Sequence, residues 1–245
     1  VMFFIFFLSS IIRLLVLFFL WTAIYSSATN IDGFNYKEII TYICLGQILN
    51  SLYGSFFIEG TIAEKIRDGT ISMELIQPLD FHLRRFFEVI GFVIFQGGFV
   101  ALLTLGISIF FFRIAPPKDY IHLILFIISI FFSILINFSI SYTNGLLSFW
   151  TTNLWGLVTS KNMIQALFSG LLIPNCFFPG WLQKISDMLP FQSIIYTPVS
   201  IYLGKMDYSK MFYMLGIQIF WAVFLWIMTK ILWNLAKRQV TIHGG

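Results

Sequence analysis

The segment from Glu59 to Arg85, EGTIAEKIRDGTISMELIQPLDFHLRR, carries the chain's densest charge: Glu64, Asp68, Glu74 and Asp80 among Lys65, Arg67, Arg84, Arg85 and His82. These charges alternate with Ile62, Ile66, Ile71, Met73, Leu75 and Ile76. Such mixing suits a small helix that lays an apolar face in a partner's groove, its charges setting register and selectivity more than affinity. The plain alternative is a solvated helical turn linking two apolar spans. Catalytic patterns are missing. The glycine-bearing string EKIRDGTIS is not the phosphate-cradling G-x-x-x-x-G-K-[ST] loop, and no H-E-x-x-H, G-x-S-x-G or Cys/His cluster at metal spacing occurs. His82, His122 and His243 are dispersed in sequence. No catalytic, cofactor-binding or metal-binding residue is therefore assigned.

The elements that must position this segment are apolar. Of the 245 residues, 58% are hydrophobic and 11% charged, against about 25% charge in soluble domains, and the mean hydropathy is +0.87. The composition defines an all-α integral membrane protein. A formal charge of +4, scattered over loops and span ends, gives no nucleic-acid footprint. Cys44 falls in a predicted span and Cys176 in a Pro-rich turn, so no disulfide is expected between them. The chain begins Val1-Met2, and the natural start is expected to lie upstream. The first span reads as retained, not as a signal peptide.

A span needs about 20 mostly apolar residues. Six are predicted, at about 2–25, 39–58, 86–112, 120–147, 154–173 and 211–235, forming one transmembrane domain over 1–245. The fifth must tolerate Lys161, read as snorkelling toward an interface. With six spans both termini share a side with the 59–85 loop, which then collects Lys65, Arg67, Arg84, Arg85, Lys161, Lys230, Lys237 and Arg238. The excess of basic residues places that side in the cytoplasm. Residues 174–205 are too apolar for a loop and too broken by Pro174, Pro179, Pro190 and Pro198 for a clean span. Trp181, Leu182, Ile185, Met188 and Leu189 recur at helical spacing there, as in an interfacial or re-entrant helix.

Ion-coupled transporters place titratable groups mid-span. Here Arg13 is the one deep charge, with Glu59 and Glu88 at span ends. Arg13 either snorkels or belongs to a span that starts deeper in the cytoplasm, or else it lines a substrate path or pairs with Glu59 or Glu88. Gln47 and Asn50 share a face of the second span, and Gln96, Asn137, Ser141 and Asn144 mark the third and fourth. Helix-to-helix hydrogen bonding is the favoured role for such residues, with substrate contact as the alternative.

Three strings, IAEKIRDGTISMELIQPLDFHLRRFFEVIG, FFPGWLQKISDMLPFQSIIYTPVSIYLG and ILWNLAKRQVTIHGG, resemble the ABC-2 type permease family, the membrane subunits of ABC exporters. The nearest likeness is to the six-span permeases associated with daunorubicin-type exporter ATPases. The resemblance implies a cytoplasmic coupling helix between spans 2 and 3 that docks on a separate ABC ATPase. It assigns Glu64, Lys65, Arg67, Asp68, Gly69, Thr70 and Glu74 to that docking element. It also implies short outer re-entrant helices between spans 5 and 6, around Pro179, Trp181, Pro190 and Pro198. ATP and Mg would sit on the partner ATPase, none on this chain. A second permease copy or a related permease would complete the path in a bacterial cell membrane. Family members begin with a cytoplasmic amphipathic helix that this chain does not show, so that helix is expected to have been trimmed or to be missing. Arg13, Gln47, Asn50, Glu59 and Glu88 stay candidates for a path or for intramembrane pairing.

The expected function is thus the permease subunit of an ATP-driven exporter, without enzymatic activity of its own. The rivals are an ion-coupled secondary transporter or channel, a membrane-embedded enzyme, and a scaffold that transports nothing.

Overall fold

The computed structural model describes residues 2–27, 29–53, 56–151 and 154–239; His243 and the end of the C-terminal string lie outside them. The described chain is almost wholly helical, an all-α membrane architecture. Helix α1 spans Met2–Tyr25, α2 Tyr36–Tyr53 and α3 Phe56–Arg67. The short α4, Ile71–Leu75, precedes α5, Phe81–Phe92, and α6, Gly98–Phe112. Helix α7 is Tyr120–Leu147, α8 Leu154–Phe168, α9 Gly180–Met188, α10 Tyr196–Tyr202 and α11 Tyr208–Ala236. Five described stretches are long and apolar enough to cross a membrane: Phe7–Tyr25, Tyr36–Arg67, Phe81–Phe112, Tyr120–Leu147 and Tyr208–Gln239. The fifth expected span is represented by α8, whose 15 residues rise about 22 Å against a hydrocarbon core of about 30 Å.

Local chemistry sets the helix ends. Between α1 and α2 the polar linker forms a two-stranded hairpin, Asn30–Ile31 with Phe34–Asn35. Asp32 and Gly33 turn it, both at positive φ (45° and 81°), the pairing that a two-residue hairpin loop demands. Asn35 then opens α2 through a reciprocal cap: its Oδ1 accepts from the Glu38 amide, and Glu38 Oε2 accepts from the Asn35 amide, both at 2.9 Å. Two orphan donors of the first turn are satisfied at once.

A π-turn at Val93–Gly97 joins α5 to α6. There Gly97 meets α2, since a Cβ on it would lie 3.0 Å from Leu52 Cα. Any side chain there would force the two backbones apart by a few tenths of an ångström.

The expected re-entrant segment holds α9, α10 and two 3-10 turns, Asn175–Phe177 and Phe191–Ser193. Its prolines stand at helix starts: Pro179 before α9, Pro190 before the second turn, Pro198 in the first turn of α10. At those positions a missing N–H costs no helical bond. Trp181, Ile185 and Met188 of α9 are exposed, whereas Pro198, Val199, Ser200 and Ile201 of α10 are buried. Leu189, grouped by its spacing with the α9 residues, falls in extended backbone just past the helix.

Buried polar bonds tie this segment to the bundle. Gln218 of α11 donates to Ser193 O (2.8 Å) and Ser129 O (2.9 Å). Ser133 of α7 donates to the same Ser193 carbonyl at 2.8 Å, and Tyr53 OH donates to Ile194 O at 2.9 Å. Buried carbonyls of an irregular turn thereby find donors, the condition for such backbone to survive away from water.

Candidate docking and coupling site

Helix α3 ends in a turn closed by Gly69 at φ +72°. The amide of Asp68 donates to Glu64 O at 2.9 Å and that of Gly69 to Ile66 O at 3.2 Å. A left-handed glycine at this position is the common way to stop a helix. The chain reverses into α4, where Ser72 Oγ donates to Gly69 O at 2.8 Å. Helix α5 starts at Asp80, whose carboxylate accepts from the His82 amide at 2.8 Å.

Glu74 of α4 is the centre of the site. Its carboxylate is buried and pairs with Lys65 of α3 and with Arg84 of α5, while Arg85 Nη2 stands 3.9 Å away. Arg85 also pairs with Glu88 at 2.6 Å. One buried carboxylate on α4 thus holds together the like-charged bases of α3 and α5. Beneath them the Arg85 guanidinium sits 5.3 Å from the Phe81 ring centroid, and Phe81 stacks on Trp233 of α11 at 4.5 Å. His82 is fully buried, its Nε2 2.9 Å from Thr229 Oγ1, with Trp226 edge-on at 4.2 Å. The ion cluster is thus clamped onto α11 by aromatic packing.

The outer surface of the site is different in kind. Glu64, Arg67, Asp68, Gly69 and Thr70 are exposed. The Arg67–Asp68 pair, 3.5 Å apart with both side chains more than half exposed, holds almost nothing in place. Beside these charges Met73, Leu75, Ile76 and Leu79 are exposed, Ile76 at 79% and Leu79 at 68%. The apolar residues expected on one helix face are therefore split. Ile62 and Ile71 turn into the bundle and are buried, while Met73, Leu75 and Ile76 form a free tip. Lys65 and Glu74 also part from the other five docking candidates: they stiffen the tip from behind.

A second buried ion pair lies at the base of α3. Glu59 is fully buried, and its Oε1 accepts from Lys161 Nζ of α8 at 2.6 Å. Ser141 Oγ of α7 lies 3.4 Å from the same Nζ. One step further along α8, Gln165 donates to Asn137 Oδ1 at 2.9 Å, and Asn137 Nδ2 to Tyr53 O at 3.3 Å. Lys161 thus points inward instead of snorkelling. Gly145 of α7 admits α3 here, since a Cβ on it would lie 3.0 Å from Ile62 and 3.4 Å from Glu59 Cα.

The remaining candidates fall elsewhere. Arg13 is exposed on α1 and forms no ion pair with a described residue, so the alternative of pairing with Glu59 or Glu88 gives way: those acids pair with Lys161 and Arg85. Gln47 is buried, with no partner for its Oε1 among the described residues, and Asn50 is half-buried. Among the described residues no three His, Cys, Asp or Glu side chains gather as a metal site. Sequence reasoning missed the Glu59–Lys161 pair. The available signal was a lysine in an apolar run, which requires a buried partner unless it reaches water.

Among the described residues, five membrane-length helical stretches, a short polar-ended hairpin of helices and a layer of short broken helices define a multi-pass membrane protein. The chain matches the family described as ABC-2 family transporter protein over residues 11–244, and it belongs to that family. No curated protein sequence matches it.

Proposed function

We propose that the chain is the permease subunit of an ATP-driven exporter of the daunorubicin-type branch, and that α4 with its flanking turns is the coupling element. The observation that carries this reading is the tip itself: Met73, Leu75, Ile76 and Leu79 are exposed beside Glu64, Arg67 and Asp68, on a base fixed by the Glu74 cluster. An apolar tip rimmed by charge suits a groove on a cytoplasmic ABC ATPase. A lever must also be stiff, and the Lys65–Glu74–Arg84 contacts join α3, α4 and α5 into one body. Force applied at the tip passes through α3 to the Glu59–Lys161 pair, and through Phe81 and Trp233 to α11.

In this reading ATP and Mg belong to the partner ATPase, and the chain contributes no catalytic site. Helix α8 completes a sixth crossing, both termini and the tip face the cytoplasm of a bacterial cell, and a second permease copy or a related permease forms the other half of the path. Co-purification with the cognate ATPase tests it. Met73→Glu with Ile76→Glu should abolish association and export while membrane insertion and melting temperature hold. Unchanged ATPase association in that variant sinks the reading.

The buried Glu59–Lys161 pair favours a second reading, an ion-coupled transporter. It requires transport that follows a proton or sodium gradient, persists without ATP and is lost in Glu59→Gln.

A further inference from the structure

On the face of the molecule away from the Glu74 cluster, a groove follows the contact between α1 and α6, where the Phe18 and Phe112 rings lie 4.7 Å apart. Its deeper part is a cavity of about 410 Å³ walled by Leu14, Leu15 and Phe18 of α1 and by Thr104 and Ile107 of α6. The outer part, about 450 Å³, shares Phe18, Phe111 and Phe112 with it and is closed at its end by Lys37 and Arg113. The two hollows adjoin at Phe18, Phe111 and Phe112, and end to end they line an apolar trough with a cationic mouth.

The mouth is charged without compensation. Lys37 and Arg113 are exposed and form no ion pair among the described residues. The neighbouring acid, Glu38, is committed to Lys205 at 2.6 Å and to the Asn35 amide. Two unpaired cations above an apolar trough complement a phosphate carrying an acyl chain. The trough has the matching depth. From Thr104 to Phe112, α6 rises about 12 Å, close to the roughly 15 Å of hydrocarbon in one leaflet.

We infer that the groove between α1 and α6 is a binding site for one anionic phospholipid of the surrounding bilayer. One acyl chain lies along Leu15, Phe18 and Ile107, and the phosphate is held between Lys37 and Arg113. The occupant comes from the leaflet opposite the Glu74 cluster. Nothing in this assignment depends on how transport is driven.

The test is native mass spectrometry of the full chain released from bilayers of equimolar phosphatidylglycerol and phosphatidylcholine. One phosphatidylglycerol should be retained in preference. Each cation near an anionic headgroup is worth about a factor of five, so Lys37→Gln with Arg113→Gln should reduce the preference roughly 20- to 30-fold. Leu15→Trp, which fills the trough and leaves both charges, should also expel the lipid. Equal retention of the two lipids by the unaltered chain overturns the site. So does undiminished retention in Leu15→Trp, or a change of oligomeric state in the variants with lipid retention unaltered, which would make the trough a contact between copies.

Discussion

Lys161 Nζ of α8 lies 2.6 Å from Glu59 Oε1 of α3, and the two side chains are 6% and 1% exposed. The pair joins residues 102 positions apart and closes the base of the helix that ends in the coupling tip. Ser141 of α7 completes the arrangement, so three helices converge on one neutralised charge. Tilting α3 must either carry α8 with it or separate two buried charges.

That relationship makes the single and double variants differ. Removing one member of a buried pair strands the other, at a cost of about 3–5 kcal/mol, whereas replacing both with apolar side chains of similar volume is close to neutral. Glu59→Gln and Lys161→Met should each lower the melting temperature of the purified protein. Glu59→Leu combined with Lys161→Met should recover most of the loss. Additive losses in the double variant would show that the two charges do not interact.

Gly145 tests the same junction by volume. A methyl group there would meet Ile62 at 3.0 Å on two carbons, in a region already closed by Leu146 and Tyr142, both fully buried. Overpacking of this kind costs about 1–3 kcal/mol. Gly145→Ala should destabilise by that amount, and Ile62→Val in the same chain should restore part of it. The check is thermal unfolding in detergent of the two single variants and the pair.

The cluster and the tip of the proposed coupling element should separate by readout. Glu74→Gln leaves Lys65, Arg84 and Arg85 without their shared anion, and charged hydrogen bonds are worth about 1.5–3 kcal/mol each. It should lower stability and, by loosening the tip, weaken ATPase binding. Ile76→Glu should leave stability within about 0.5 kcal/mol, as surface changes do, and remove binding alone. Equal loss of stability in both would place Ile76 in the packed interior.

Long apolar runs declared themselves in the residues: α1, α7 and α11 are single uninterrupted stretches of 24, 28 and 29 residues. The end of the second span did not. Glu59 looks like the first residue of a polar loop, yet it lies inside α3, because its charge is neutralised by Lys161 far along the chain. No local pattern records such a partner. The division of the polar segment into buried cluster and exposed tip was equally hidden, since Lys65 and Arg67 differ only in which way α3 turns them. Asp32-Gly33 between Ile31 and Phe34 is a hairpin signal of ordinary strength. The segment nevertheless resembles a plain polar linker, because its flanking strands are only two residues long.

Asp119 offers a pH test on the opposite face. It caps α7: its Oδ1 accepts from the His122 amide at 2.8 Å and lies 2.7 Å from His122 Nδ1. The backbone N–H of His122, then its side chain, hold the Asp119 carboxyl below the ordinary carboxylate value. A carboxyl whose folded-state pKa is depressed stabilises the fold above its unfolded-state value and loses that contribution as pH falls through the folded value. Asp119→Asn keeps a capping oxygen but cannot titrate. The natural chain should therefore be the more stable of the two at neutral pH, with the part owed to the Asp119 charge shrinking as the pH falls below about 4. Melting temperatures of both chains across that range provide the check. A difference that stays level to pH 3 would mean that the charge on Asp119 does not support the α7 cap.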